Sequence, residues 1–287
     1  MNLDPADTGT LDLPDCPKSG AGVHKWLYAA AWMCREANVP IVEAIRVLRE
    51  TMTRPETGGT EVEVTVANVY ATDPDSLPPR EKWPAFNPIR RAEICKSGFT
   101  LDALRAASPG KDADTASVMR AMFREHELLC CAWEDRRFDT RPLALWPDLS
   151  ALRYLVPSPM SRVWGKTKAG HPSKHSVDNT GPRRYIVAEF DSGSLDDHAC
   201  LARELSRSAP LVLCVFSGGK SLHSWFNVSG WEETKLRNFF NYAVSVGADR
   251  AMWLRSQFSR IPGGLHASGA RQEIHYFNPK FAYSYEP

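Results

Sequence analysis

The chain has 287 residues, of which 43% are hydrophobic, so it is long enough for one large domain or two modest ones with a sizeable core. Its 35 Lys and Arg residues nearly balance its 34 Asp and Glu residues, so net charge gives no indication of a nucleic-acid partner and only local charge can. No Cys-x-x-Cys pair occurs among the 7 cysteines and no apolar run approaches the ~20 residues of a membrane span, which argues against a disulfide framework and a membrane protein and favours the cytoplasm.

The first part of the chain predicts a helical module. Residues 1–20 are acidic and Pro-containing, and we expect them to form a disordered lead-in. Apolar residues at helical spacing predict three helices within 21–72, which we expect to pack as a compact accessory module. A Thr60-x-x-Glu63 pattern predicts a capping box at the start of the third helix.

The segment 73–90 is rich in proline, which is typical of a linker. The remaining residues, 91–287, are expected to form a second domain whose core spans about 120–287. Further short helices are predicted at its start, over 91–127.

From about residue 128 the sequence predicts strands separated by helices. LLCCAW, YIVAEFD, LVLCVFS and LHSWFNV are short runs of apolar, β-branched and aromatic residues, as in buried strands. Helices are predicted over 196–207 and 232–246, the second opened by a capping box between Ser229 and Glu232. Because the whole chain combines a helical module with mixed strands and helices, the predicted fold class is α+β.

Two acids lie at the end of the predicted strand YIVAEFD. Glu189 and Asp191 are two residues apart, so on a strand their side chains would point to the same face about 7 Å apart. Two carboxylates aimed at one point repel each other unless a cation lies between them, and Mg²⁺ and Mn²⁺ prefer such oxygen ligands. The alternative is a solvated strand end, where Asp191 merely opens a turn.

A Gly-Gly turn follows the strand LVLCVFS. Its residues combine small side chains, a cation and an imidazole: Ser217, Gly218, Gly219, Lys220, Ser221 and His223. The glycines free the backbone to direct N–H groups towards an anion, to which Lys220 adds charge. The turn is not a Walker A loop, because Cys214 stands where that motif needs glycine and a strand follows instead of a helix. The alternative is an ordinary Gly-Gly hairpin.

A third acid precedes a segment rich in arginine. Asp249 is followed by Arg250, and Arg260 lies in an R-x-P-G-G sequence. No acid occurs between 250 and 272, a range that contains four arginines: Arg250, Arg255, Arg260 and Arg271. Such a run is typical of phosphate contact, since a guanidinium binds two phosphate oxygens at once. The alternative is a local pair between Asp249 and Arg250.

A basic segment precedes the acidic strand. Residues 160–184 contain one acid, Asp178, and six cations: Arg162, Lys166, Lys168, Lys174, Arg183 and Arg184. Glycine and proline punctuate the segment, which predicts a loop. We expect Lys166, Lys168, Lys174, Arg183 and Arg184 to follow the phosphates of a single strand. The alternative is a solvated, flexible loop.

The order of these motifs resembles the archaeo-eukaryotic primase superfamily, especially the primase-polymerases of phages and plasmids. In that family a pair of acids on a strand is followed by a short turn ending in His and then by a third acid. Here these positions match Glu189 with Asp191, Ser217 through His223, and Asp249. The resemblance covers roughly 120–287, with the departure that many members carry Asp where Glu189 stands. It implies a primase-like mixed α/β catalytic domain, in the host cytoplasm for a phage-encoded protein.

The resemblance also implies a mechanism and its residues. Glu189, Asp191 and Asp249 would hold two Mg²⁺ or Mn²⁺ ions, with His223 completing the catalytic set. The turn residues Ser217, Gly218, Gly219, Lys220, Ser221 and His223, together with Arg260, would bind the incoming nucleoside triphosphate. The implied partners are single-stranded DNA as template, nucleotides, and a separate helicase, since no helicase motif is visible. The alternative function is a catalytically idle replication-initiator module that binds nucleic acid.

Overall fold

A computed structural model of the chain describes residues 13–18, 22–72 and 83–282. The chain divides into two compact units, Met1–Lys82 and Trp83–Pro287. Each unit has its own hydrophobic core.

The first unit contains three helices: α1 (Val23–Glu36), α2 (Ile41–Thr51) and α3 (Glu61–Ala71). Their facing apolar residues form its core: Trp26, Leu27, Ala30, Ala44, Leu48, Val62, Val66 and Val69. The predicted capping box is wrong, because Thr60 makes no side-chain cap. The Glu56 carboxylate instead accepts the N–H of Val62 at 3.1 Å, which satisfies one of the free donors at the start of α3.

Part of the predicted lead-in packs on this unit. The carbonyl oxygen of Pro14 accepts a hydrogen bond from the Trp26 indole at 2.7 Å, and Cys16 is buried. The rest of the predicted lead-in lies outside the described residues.

The second unit contains helices and strands in a mixed order. The helices are α4 (Pro88–Cys95), α5 (Leu101–Ala106), α6 (Thr115–Met122), α7 (Leu195–Leu205) and α8 (Glu233–Ser245). The strands are β1 (Leu128–Glu134), β2 (Arg137–Pro142), β3 (Tyr154–Leu155), β4 (Gly165–Lys166), β5 (Pro172–Ser173), β6 (Tyr185–Ala188), β7 (Leu211–Phe216), β8 (Leu222–Asn227), β9 (Ser259–Arg260) and β10 (Ile274–Phe277).

Two antiparallel sheets and a small hairpin organise these strands. The first sheet has the order β2-β1-β3-β9 and the second has the order β10-β7-β8-β6, while β4 pairs with β5. Strands β6 and β7 are buried at nearly every position, which requires cover on both faces. Helix α7 contacts β7 and β8, and the aromatic residues of α8 join the same core. The second unit is therefore of the α+β class, as the sequence predicted.

Three details of this unit differ from the sequence predictions. The strand that carries the acids ends at Ala188, because only Phe190 continues the pairing, as an isolated bridge to Ala248. The predicted Ser229 capping box is wrong, since α8 begins at Glu233 and its N-cap residue, Glu232, makes no side-chain cap. The capping box lies instead at α7, between Ser194 and Asp197.

The end of the predicted linker belongs to the second unit. The Trp83 ring lies 5.7 Å from that of Phe240 and 5.9 Å from that of Trp253. Helix α4 then begins at Pro88 with Asn87 as its cap. Residues 73–82 of the predicted linker lie outside the described residues.

Within the described ranges, the helices all lack the length or the apolar composition that crossing a bilayer would require.

Candidate active site

The first and third acids are joined through the backbone. The carbonyl oxygen of Glu189 accepts the N–H of Asp249 at 2.8 Å, next to the bridge between Phe190 and Ala248. The Asp249 carboxylate in turn accepts the N–H of Ala251 at 3.0 Å and caps a short 3₁₀ turn. These contacts place the two acids on neighbouring segments at one end of the second sheet.

Glu189 is a half-buried carboxylate with polar neighbours. Its side chain is 19% exposed, and Oε1 accepts the Ser221 hydroxyl at 3.0 Å. Nε2 of His223 lies 3.2 Å from the same oxygen, within ion-pair distance but not aligned as a hydrogen bond. Burial alone would raise the pKa of Glu189, but His223, Ser221 and Arg260 together lower that pKa to about 2. The carboxylate is therefore ionised at neutral pH.

His223 connects the two sheets. Its Nδ1 lies 3.1 Å from the hydroxyl of Ser259, which is on β9 of the first sheet, while His223 is on β8 of the second. Both side chains are buried. Ser259 was not predicted as a site residue, and the sequence signal for it is its position directly before Arg260. Arg260 itself lies over the Tyr154 ring at 4.8 Å.

The Gly-Gly turn is closed by its own first serine. The Ser217 N–H donates to the Ser221 carbonyl at 2.8 Å. The Ser217 hydroxyl accepts the N–H groups of Ser221 at 3.1 Å and Gly219 at 3.3 Å. The expectation that the turn directs its N–H groups towards an anion is therefore wrong for Gly219 and Ser221, because both N–H groups donate to the Ser217 hydroxyl.

A second imidazole lies against this turn. Gly218 has φ +79°, and a Cβ built there would lie 2.6 Å from Cβ of His266. The backbone N–H of Ser268 donates to Nδ1 of His266 at 3.2 Å, which leaves Nε2 as the protonated nitrogen of the neutral ring. Sequence reasoning missed His266, since only the fold brings it to the turn.

Lys220 and Asp191 form an exposed pair at the rim of the site. Nζ of Lys220 lies 3.1 Å from Oδ1 of Asp191, and the two side chains are 70% and 61% exposed. Such a pair is held weakly, because water screens both charges. Each member can therefore exchange its partner for a ligand at little cost.

The predicted metal ligands are of the chemical type that binds a divalent cation, but their side chains do not converge on one point in this structure. Carboxylate oxygens such as those of Glu189, Asp191 and Asp249 are the ligands that Mg²⁺ and Mn²⁺ prefer. In the part of the chain that the structure describes, however, no three His, Cys, Asp or Glu side chains converge closely enough to hold a metal ion. Lys220 pairs with Asp191, and the N–H of Ala251 occupies Oδ1 of Asp249.

The predicted basic loop divides into structural and exposed cations. Lys174 pairs with Asp139 at 2.6 Å, and Arg184 pairs with Glu127 at 2.6 Å in a half-buried contact. Arg183 lies over the Trp253 ring at 4.3 Å and donates to the Trp253 carbonyl. These three residues hold the fold together, a role that the sequence analysis did not assign to them.

Lys166 and Lys168, the other two residues predicted to contact a nucleic-acid strand, are exposed on the β4–β5 hairpin. The segment around them is not an isolated loop. His175 contacts the Ser256 carbonyl at 2.5 Å, and Arg255 donates to the Gly181 carbonyl at 3.2 Å. The hairpin is thus fixed to the segment that leads into β9.

No protein-family model and no curated protein matches the chain. Among solved structures, it is similar to the archaeo-eukaryotic primase domain of the cyanophage S-2L primase-polymerase, at a TM-score of 0.34 and 19% identity, over 69% of this chain and 97% of that one. A likeness of this degree assigns neither a fold nor an activity.

Proposed function

We propose that the chain is a metal-dependent nucleotidyltransferase: a DNA primase or DNA polymerase that makes or extends primers on single-stranded DNA during replication of a mobile element. The supporting observation is the environment of Glu189. This ionised carboxylate contacts Ser221 and His223 from the second motif and is hydrogen-bonded through its backbone to Asp249, the third. The second motif therefore contacts this negative charge directly, and the third is joined to the same residue through the backbone.

In this proposal Glu189, Asp191 and Asp249 hold Mg²⁺ or Mn²⁺, which supplies positive charge to the reacting phosphate when bound. The 3′-hydroxyl of a primer gives up its proton to solvent and attacks the α-phosphorus of a nucleoside triphosphate. A new P–O bond forms while the bond from the α-phosphorus to the oxygen bridging to the β-phosphate breaks, and pyrophosphate leaves. Lys220 leaves Asp191 and pairs with the triphosphate. Arg260 offsets negative charge on a phosphate oxygen.

His223 and its neighbours orient these groups. The Ser259 hydroxyl fixes the His223 ring from the first sheet, so that Nε2 faces Glu189. Because both partners are buried, the ring keeps one orientation while a nucleotide enters or leaves. The Ser217 hydroxyl holds the Gly-Gly turn in its closed form, which places Lys220 at the rim.

The alternative is a catalytically idle nucleic-acid-binding module. The present pairing of Asp191 with Lys220 and the lack of a converged ligand set among the described residues favour it. Incubation of the protein with primed and unprimed single-stranded DNA, with dNTPs or NTPs and with Mg²⁺ or Mn²⁺, decides between the two. Extended or newly made strands that disappear without metal support the transferase. Strand binding without incorporation under all of these conditions would favour the idle module.

A further inference from the structure

Trp164 is the most exposed of the 9 tryptophans in the chain, all of which the structure describes. Its relative exposure is 57%, whereas Trp225 in the core is at 0%. A large aromatic side chain left in water forgoes the stabilisation that burial gives, so an exposed tryptophan is more informative than an exposed lysine. Its position therefore needs an explanation beyond packing.

Positive charge follows Trp164 along the chain. Trp164 directly precedes the β4–β5 hairpin, which carries exposed Lys166 and Lys168. The nearby acid Asp178 is already paired with Arg162 at 2.7 Å. Neither Lys166 nor Lys168 forms an ion pair within the described ranges. Lys166 and Lys168 therefore lie two and four residues after Trp164 in the sequence, on the same short hairpin.

The hairpin is rigidly held at its base. The buried side chain of Asn179 donates to three backbone carbonyl oxygens, at 3.1 to 3.3 Å: those of Arg162, Val163 and Lys174. Gly165 packs against it so closely that an added Cβ would lie 2.8 Å from Cβ of Asn179. The backbone on both sides of Trp164 is thus held in place, so ordering this backbone on binding costs little entropy.

The hairpin is also connected to the site. Nζ of Lys174 lies 5.1 Å from the centre of the Trp164 ring. The next residue, His175, stacks on Phe258 with ring centres 4.0 Å apart. Phe258 directly precedes Ser259 and Arg260 on β9. A chain of direct contacts therefore leads from Trp164 to the strand that borders Glu189 and His223.

We infer that Trp164, Lys166 and Lys168 form a binding site for single-stranded nucleic acid, in which the indole stacks on an unpaired base and the two lysines contact phosphates. The aromatic face indicates a single strand, because the bases of a duplex are covered by their neighbours. The inference rests on the proposed function only in making this strand the template. Lys174, Arg183 and Arg184 are excluded from the site, since they hold the fold.

The test separates stacking from charge. Affinity of the full chain is measured for a single strand of about 16 nucleotides and for an abasic strand of the same length, across a salt series. Trp164→Ala should weaken binding of the normal strand about 5-fold to 100-fold and leave the salt slope unchanged. It should barely affect the abasic strand, which has no base to stack. Trp164→Phe should restore much of the loss.

The lysines should behave in the opposite way. Replacing both Lys166 and Lys168 with Ala should weaken both strands and flatten the salt slope by up to roughly 1.4, at about 0.7 for each lost phosphate contact. The matched control replaces Lys111 and Lys280, two exposed lysines elsewhere on the second unit, and should change neither quantity. Leu145→Ala controls for loss of an exposed apolar side chain.

Several results would overturn the inference. Trp164→Ala could lower the affinity for normal and abasic strands equally, lower the affinity for a blunt duplex as much as that for the single strand, or leave every affinity unchanged. An RNA strand is run in parallel, and a stacking loss on either DNA or RNA supports the site. If the parent protein binds the strand but incorporates no nucleotide, the proposed function fails while this site stands. If it incorporates nucleotides and Trp164→Ala binds both strands normally, this site alone fails.

Discussion

The backbone N–H of Asp249 donates to the carbonyl oxygen of Glu189 at 2.8 Å, although the two acids are far apart in sequence. Main-chain atoms make this link, so it does not depend on either carboxylate. Substitutions that remove the side chains should therefore leave the two segments in place. This separation of backbone structure from side-chain chemistry allows the acids to be tested without unfolding the site.

Asp191→Ala and Asp249→Ala should each abolish nucleotide incorporation while the protein remains folded. Loss of a carboxylate that holds a catalytic metal removes several kcal/mol of transition-state stabilisation, at about 1.4 kcal/mol for each tenfold in rate. Primer extension measures the rate, and thermal unfolding checks the fold. Asp112→Ala, an exposed acid near the start of the second unit, is the control and should extend primers normally. Near-normal extension by either site variant would remove that acid from the catalytic set.

Lys220→Ala should weaken nucleotide binding and leave single-strand binding unchanged. Its ammonium is 70% exposed and is proposed to move from Asp191 to the triphosphate. A lost charge-assisted contact of about 1.5 to 3 kcal/mol corresponds to a loss of about 10-fold to 100-fold in affinity. Titrations with labelled nucleotide and with labelled DNA are made separately, with Lys111→Ala as the control. Weakened DNA binding with intact nucleotide binding would place Lys220 on the strand instead.

The sequence predicted more of the fold than of the side-chain contacts. Strand β7 and helix α8 were predicted to within a residue or two at each end, because their apolar residues repeat with a clear period. The acidic strand was predicted too long. Its ladder with β8 stops at Ala188, and beyond it Phe190 pairs with Ala248, a residue remote in sequence that no local pattern indicates.

The candidate site was predicted only in part, because some of its contacts join residues that are remote in sequence. Glu189 and His223 were selected from local motifs, and the structure brings them to 3.2 Å. Ser259 and His266 were missed, since each meets its partner only through tertiary packing. The charge of Lys174 suggested a contact with nucleic acid. The acid that pairs with it, Asp139, lies on β2, far away in the sequence, so the pair is not visible from the sequence alone.

Gly218→Ala should destabilise the protein more than Gly170→Ala. The two glycines have similar φ angles, +79° and +81°, so an added side chain is strained at both, by about 1 kcal/mol. An added Cβ at Gly218 would meet His266 at 2.6 Å, whereas nothing lies within 4 Å at Gly170. Overpacking should add about 1 to 3 kcal/mol at Gly218 alone. Urea unfolding of both variants measures the difference, and equal losses would show that His266 yields without cost.

Glu189→Gln should reduce the dependence of stability on pH in the acid range. Burial opposes ionisation of Glu189, yet His223, Ser221 and Arg260 lower its pKa from 4.5 to about 2. A carboxyl whose pKa is lower in the folded protein stabilises it above the unfolded pKa, and this stabilisation is lost as the pH falls towards the folded value. The shift corresponds to about 3 kcal/mol in the free energy of unfolding. Glutamine has no proton to gain, so the stability of the variant relative to the parent should rise by about that amount between pH ~5 and pH ~2. Urea unfolding at steps across this range gives both curves. Parallel curves would mean that Glu189 titrates alike in the folded and unfolded chains, and that its contacts with Ser221 and His223 do not hold its charge.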